Sequence, residues 1–304
     1  MTYERPIWPG AIAHGEVSRQ DFAIGADQAA LNITGVLTQL NIGLRQDIFR
    51  SRLRNIRADL SLKRTNSVLK FNKTVRNKEN LAFLEGELSG DNIDVEHNGI
   101  DVASVGFAYG LHAHFGGDID TDVAGSPHPP SRRGNAGRFS NNNFMLVRGQ
   151  YTRLQNISPE LDVLMRVEGQ WSNSLLSSQN QYKLGGPNNV RAYPVSEYLR
   201  DTAAFASMEW FWKAPFFADA EAFSNLKWGD VFKVSFFADY AVGTVNQPQA
   251  GDLQNVDISG YGAAAHFEIP GELIARLQAS HPLSGLPPSN DRGTQWWFDL
   301  NYRF

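Results

Sequence analysis

The chain contains no cysteine, which excludes a disulfide framework, a thiolate metal site and a cysteine nucleophile. It also lacks any run of 18 apolar residues, so no transmembrane helix is encoded. Neither sign of charge dominates. The 28 Lys and Arg set against 32 Asp and Glu leave a net −4 and a pI near 6.0, which gives no electrostatic footprint for a nucleic-acid partner. No segment has the 3.6-residue period of a substantial helix. No Gly-x-Ser-x-Gly elbow and no nucleotide motif occur, so neither an enzyme nor a cofactor is expected. The start, Met1-Thr-Tyr-Glu-Arg-Pro-Ile-Trp8, has neither a charged n-region nor an apolar h-region. A mature form, an excised piece or a truncated reading frame is expected on that basis.

What is present is a period of two. Near the end of the chain, Trp296, Phe298, Leu300, Tyr302 and Phe304 alternate with Gln295, Asp299, Asn301 and Arg303, and only Trp297 breaks the polar series. Phe232, Val234, Phe236, Ala238 and Tyr240 alternate with Lys233, Ser235, Phe237 and Asp239, while Ala204, Ala206, Met208, Trp210 and Trp212 oppose a set that includes Glu209. Such patterns specify strands with one apolar and one wet face. They place about twelve strands, at roughly 16–24, 32–46, 52–65, 79–91, 100–116, 142–153, 160–173, 201–213, 230–243, 256–268, 271–281 and 292–304. Their lengths exceed the ~5–6 residues usual in globular sheets and suit a tilted bilayer crossing.

A mean hydropathy of −0.35 is compatible with such a protein, because only every second residue faces lipid. Long polar connections at 116–143 and 173–200 contrast with short ones at 153–160, 270–272 and 49–52, the asymmetry of outer-membrane barrels. The predicted fold is all-β: an antiparallel transmembrane β-barrel forming a single domain over 1–304. A soluble β-sandwich, whose strands also alternate, is the competing reading.

One loop stands out. Leu184-Gly-Gly-Pro-Asn-Asn-Val-Arg-Ala-Tyr193 carries a lone arginine among glycines between two such strands. In a closed sheet with a polar interior, Arg191 can fold back inside and meet a carboxylate; on another reading it is an exposed loop arginine. Gly185 and Gly186 supply the backbone freedom for a reversal. His112 and His114, followed by Asp118, Asp120 and His128, have spacing that could serve a metal, but they read better as lumen or rim histidines. Asp91-Asn-Ile-Asp94 reads as a turn, because the later positions of a calcium loop are missing.

The segments Val147–Ile157, Val167–Leu176 and Tyr182–Pro194 resemble the haemolysin-activator family, the outer-membrane transporters of two-partner secretion (TpsB type) within the barrel-assembly superfamily. The family loop motif reads Leu-Gly-Gly-x-x-x-Val-Arg-Gly-Tyr. Leu184, Gly185, Gly186, Val190, Arg191 and Tyr193 match it, and Ala192 departs from it. The second motif, Phe-x-Asp-x-Gly, is matched by Phe237 and Asp239, with Ala241 in place of glycine. Phe304, after alternating aromatics, is similar to the terminal signature read by barrel-assembly machinery.

The resemblance runs from about residue 30 to the end. It implies the C-terminal part of a 16-stranded barrel whose first strands and periplasmic POTRA domains are not in this sequence, and a loop over 178–200 inserted into the lumen. It also implies a lock in which Arg191 pairs with Asp239, shared with Glu209. The implied function is non-catalytic passage of an unfolded partner exoprotein, such as a haemolysin or adhesin, across the bacterial outer membrane, driven by folding of the emerging chain. Membrane lipid and the assembly machinery are the other expected partners. A porin-like or structural barrel, a non-functional truncated transporter and an outer-membrane enzyme remain alternatives.

Overall fold

The computed structural model describes residues 1–23, 33–119, 126–223 and 225–303. Thirteen strands form one antiparallel sheet: β1 (Thr2–Trp8), β2 (Ala11–Ala23), β3 (Ile33–Arg50), β4 (Arg54–Phe71), β5 (Thr74–Asp94), β6 (Gly99–Gly110), β7 (Met145–Ser158), β8 (Leu161–Ser172), β11 (Thr202–Lys213), β12 (Phe232–Thr244), β13 (Asn255–Ile269), β14 (Leu273–Gly285) and β15 (Gln295–Tyr302). Two three-residue strands, β9 (Tyr182–Leu184) and β10 (Tyr198–Arg200), pair only with each other, within the connection from β8 to β11. Order in the sheet follows order in the chain, so each strand lies beside its sequence neighbour as hairpin connections favour.

Alternation assigns the two faces. Along β12, Phe236, Ala238 and Tyr240 are exposed while Ser235, Phe237, Asp239 and Ala241 are buried. On β11, Ala204, Ala206 and Met208 are exposed while Phe205, Ser207 and Glu209 are buried. The exposed set continues through Tyr261, Leu277 and Trp296 to Phe298, which is 66% exposed. An apolar band of this extent is incompatible with water and forms the lipid-facing side of a transmembrane barrel wall. The buried set faces inward and mixes polar groups (Ser207, Glu209, Ser235, Asp239) with the apolar Phe205, Phe237 and Ala241. β1 and β15 flank the sheet, and among the described residues each pairs on one side only. Within hydrocarbon such edges need partners, because an unpaired N–H or C=O there costs several kcal/mol.

Among the described residues the wall has thirteen strands where alternation predicts about twelve. The additional strand, β1, contains Pro6, which demotes a run to a sheet edge, and the edge is where it lies. The gap expected at 66–78 is instead the tip of a long hairpin: β4 and β5 run 18 and 21 residues to a turn at Asn72 and Lys73, both at positive φ. Lys70, Asn77 and Lys78 on this tip follow no apolar alternation, as fits an extension beyond the lipid. The strand expected to reach 116 ends at Gly110: His112 turns at φ 53 and His114 begins a 3-10 turn, so the two histidines share no strand face.

Connections at 9–10, 51–53, 95–98, 159–160 and 270–272 are short and lie at one end of the sheet, and those at 111–144, 173–201 and 245–254 are longer and lie at the other. Two connections depart from this division: the two-residue turn after β4, and the 18-residue excursion at 214–231 after β11.

An arginine placed at an outward position deep in the band must be buried in hydrocarbon. Ala238→Arg, at the middle of β12, is therefore expected to destabilise the vesicle-inserted protein by about 2–4 kcal/mol in a denaturant titration, whereas Ala238→Leu is expected to leave it unchanged.

Candidate functional site: an arginine loop inside the sheet

The connection at 173–201 folds back across the inward face. Its arms β9 and β10 pair with Tyr198 opposite Leu184 and Arg200 opposite Tyr182. Beyond them the chain reverses at Gly185 (φ +93) and Gly186 (φ +106), and the Gly186 N–H donates to the Tyr193 carbonyl at 3.0 Å. Both φ values lie where a side chain is strained, and a Cβ on Gly185 would strike the Pro194 carbonyl. The two glycines are therefore required by the turn itself. Leu184, Val190, Ala192 and Tyr193 are fully buried against Ala203, Phe205, Ala241, Val256 and Ile258 of the wall. Apolar burial of roughly 1.5–3 kcal/mol per large side chain thus holds the loop in before any charge is considered.

Arg191 emerges from this apolar setting into a cage of polar groups. Its Nε and Nη2 donate to the two Asp239 oxygens at 2.9 and 2.8 Å, the bidentate fork that suits a carboxylate. Nη1 donates to Glu209 Oε2 at 2.6 Å, and Nη2 also donates to Ser207 Oγ at 3.1 Å. The guanidinium carbon lies 3.4 Å from the centroid of the Phe237 ring, within cation–π range. Gly262 leaves room for that ring, since a Cβ there would meet Phe237 Cζ at 2.5 Å.

The Arg191 backbone is held as well. Its N–H donates to Asp239 at 3.1 Å, and its carbonyl accepts from Ser280 Oγ at 2.6 Å and from Trp297 Nε1 at 2.8 Å. Burial works against the Arg191 charge, yet Asp239 and Glu209 outweigh it and hold its pKa above the ordinary arginine value. Two groups each from β11 and β12 and one each from β14 and β15 therefore converge on one loop residue.

Around this cage, Ser235 Oγ donates to the second Glu209 oxygen at 2.6 Å and lies 2.9 Å from His266 Nε2. The Tyr193 hydroxyl reaches the carbonyls of Ser284 and Leu286 at 3.1 and 2.9 Å, and burial pushes its pKa up to about 12. The two positions that depart from the family motifs are also accommodated. Ala192 sits against Gly260, where a Cβ would come within 2.5 Å of the Ala192 methyl, and Ala241 is fully buried in the loop–wall core.

The structure thus brings together Arg191, Asp239, Glu209 and Phe237, and packs Leu184, Gly185, Gly186, Val190 and Tyr193 beneath them. Phe304 and Asp120 lie outside the described residues. Sequence reasoning missed Ser207, Ser280 and His266, and took Trp297 only as a break in alternation. That break was the available signal, because an aromatic side chain on a wet face needs a partner for its N–H. A second buried ion pair was also missed. Arg132, from the 111–144 connection, pairs with the fully buried Asp201 at the foot of the loop, and Asp201 further accepts from the backbone N–H of Leu176 and of Asn246. No periodicity marks these residues, since both lie outside the strands.

No protein-family model matches the sequence, and no curated protein matches it. Solved structures do. CdiB from Escherichia coli superposes with a TM-score of 0.73 at 16% identity, covering 98% of this chain and 51% of that one. CdiB from Acinetobacter baumannii gives 0.64 at 12% identity, covering 98% and 48%. BamA from Haemophilus ducreyi lacking POTRA domains 1–3 gives 0.62 at 13% identity, covering 98% and 60%. The chain thus spans about half the length of the two CdiB chains.

Removing the cation strands two buried carboxylates, which is more damaging than losing a surface pair. Arg191→Ala is expected to destabilise the folded protein by about 3–5 kcal/mol, read as a lowered midpoint in thermal or denaturant unfolding, with new protease cleavage within 185–197. Trp297→Phe deletes one hydrogen bond and is expected to lose about 1–2 kcal/mol without exposing the loop. The sheet, the inserted loop and these superpositions together give the chain the fold shared by the CdiB and BamA outer-membrane barrels.

Proposed function

We propose that this chain is the barrel part of an outer-membrane transporter that passes an unfolded partner exoprotein outward without chemistry. The observation that supports this reading most is the placement of Arg191 inside the wall. A loop tied to four wall strands narrows the interior, which suits a gated conduit better than an open water-filled channel. A polypeptide conduit needs an element that fills the lumen when idle and can be displaced when occupied. The inward charges beside the loop suit a hydrated path: Arg166 bonds Glu168 at 2.8 Å, and Arg148 and Tyr182 line the same space. CdiB, a TpsB transporter, has the same fold.

In this mechanism the Arg191 cage sets the resting position of the loop. Bidentate bonds to Asp239 fix its register, and Glu209 shares the charge. No nucleotide is consumed, and folding of the emerging chain supplies direction. The partner is an exoprotein of the haemolysin or adhesin type. A second reading, insertion of other barrels into the membrane, is favoured by the likeness to BamA.

The two readings separate on what fails when the cage is broken. In a complete transporter carrying this barrel, Arg191→Ala and Asp239→Ala are expected to abolish secretion of the cognate exoprotein while the barrel itself still reaches the membrane. Wild-type secretion by both variants would remove the cage from the mechanism. Intact secretion together with a general loss of other outer-membrane barrels would favour the second reading.

A further inference from the structure

At the short-turn end, one connection breaks the pattern. Residues 214–231 between β11 and β12 run to 18 residues, where the other turns at that end need two to four. The segment is not slack. Its backbone is closed by Ala222 N–H to the Leu226 carbonyl at 2.9 Å, Trp228 N–H to Ala220 at 3.0 Å and Gly229 N–H to Ala218 at 2.9 Å, and it ends in the one-turn helix α1 (Trp228–Val231). Such a fold holds its side chains in fixed directions.

The aromatic side chains go to the outside of the wall. Phe217 stacks on Phe232 with centroids 6.2 Å apart and planes at 19°, and meets Trp228 edge-on at 5.7 Å. Phe223 lies 6.1 Å from Phe267. Phe232 and Phe267 are register partners across β12 and β13, and both belong to the outward series that includes Phe236 and Tyr261. Phe216 is fully exposed and sits at φ +76, a conformation that a bulky residue rarely adopts. Phe217 and Phe223, held against the outward Phe232 and Phe267, extend the apolar band, and with the fully exposed Phe216 beside them they are poorly suited to water. Asp219 and Lys227 form an exposed ion pair on the same segment at 3.0 Å. Aromatic rings beside fixed charges are the composition of a membrane–water interface.

We propose that residues 214–231 form a membrane-interface anchor in which Phe216, Phe217 and Phe223 enter the phospholipid leaflet at the short-turn side, beside β11–β13. The occupant is lipid because the rings extend a surface that already faces lipid. The inference rests on the wall spanning a membrane and not on what the protein transports. The anchored hairpin is the one whose strands carry Ser207, Glu209, Phe237 and Asp239, so the leaflet grips two of the four strands that hold Arg191.

The cysteine-free chain permits a direct test in phosphatidylethanolamine–phosphatidylglycerol vesicles. Single variants Phe216→Cys, Phe223→Cys, Asp219→Cys and Leu277→Cys are labelled with an environment-sensitive fluorophore. Leu277, on the outward face of β14, reports the lipid band. Labels at 216 and 223 are expected to emit to the blue of the label at 219. They are also expected to be quenched by nitroxide lipids and shielded from aqueous iodide. Iodide quenching at 216 and 223 equal to that at 219, with 277 still quenched by lipid, would overturn the anchor alone. Shielding of 216 and 223 from both quenchers would overturn it in favour of a protein surface, a second copy included. Loss of lipid quenching at 277 would overturn the membrane-spanning reading of the wall and the anchor with it.

Discussion

The arrangement depends on one desolvated guanidinium. Arg191 is a single positive charge carried by a loop into the interior of a β-wall, where an unpaired charge would cost several kcal/mol. That cost is offset only if acceptors are waiting at the right positions, and they are. Asp239 and Glu209 lie on adjacent strands, both inward because both obey the period of two. The register sets Ser207 opposite Asp239 and Phe237 opposite Glu209, so two carboxylates, a hydroxyl and an aromatic face surround one point. The loop motif and the strand motif are therefore two halves of one constraint: the glycines let the chain turn, and the strands supply what the turn delivers.

The constraint spreads because backbone as well as side chain is held. Ser280 and Trp297 bind the Arg191 carbonyl from β14 and β15, and Tyr193 reaches the end of β14 at Ser284 and the connection beyond it at Leu286. The loop thereby cross-braces five consecutive strands, from β11 to β15. At its other end, Asp201 gathers Arg132 and the backbone of Leu176 and Asn246, which ties together three of the long connections. A buried carboxylate with this many donors fixes relative position more than it adds stability. One pair seats the loop in the wall, and the other seats the long connections on the loop.

The fold was legible where lipid imposed it. β8, β11, β12 and β15 each face hydrocarbon on one side and the lumen on the other, and their alternation is nearly unbroken. Legibility ended where the environment stopped alternating. The far half of the β4–β5 hairpin reads as a loop because it has no lipid to face, and β1 is masked by Pro6, which an edge strand tolerates. In the site, Asp239 and Glu209 were visible as inward carboxylates, but their partnership with Arg191 came from a motif resemblance and not from spacing. Trp297 was visible only as an exception. Asp201 and Arg132 were invisible, because long-range ion pairs between loops leave no periodic trace.

Energetic coupling between Arg191 and Asp239 inside the wall is what seats the loop. The most direct measurement is a double-mutant cycle on unfolding of the membrane-inserted protein, comparing Arg191→Ala, Asp239→Ala and the double variant. A coupling of about 2 kcal/mol or more is expected, in the upper part of the range for groups sharing one buried network, with the double variant more stable than the sum of the single losses implies. Losses that simply add, within ~0.5 kcal/mol, would show that the two residues act independently and would contradict the account.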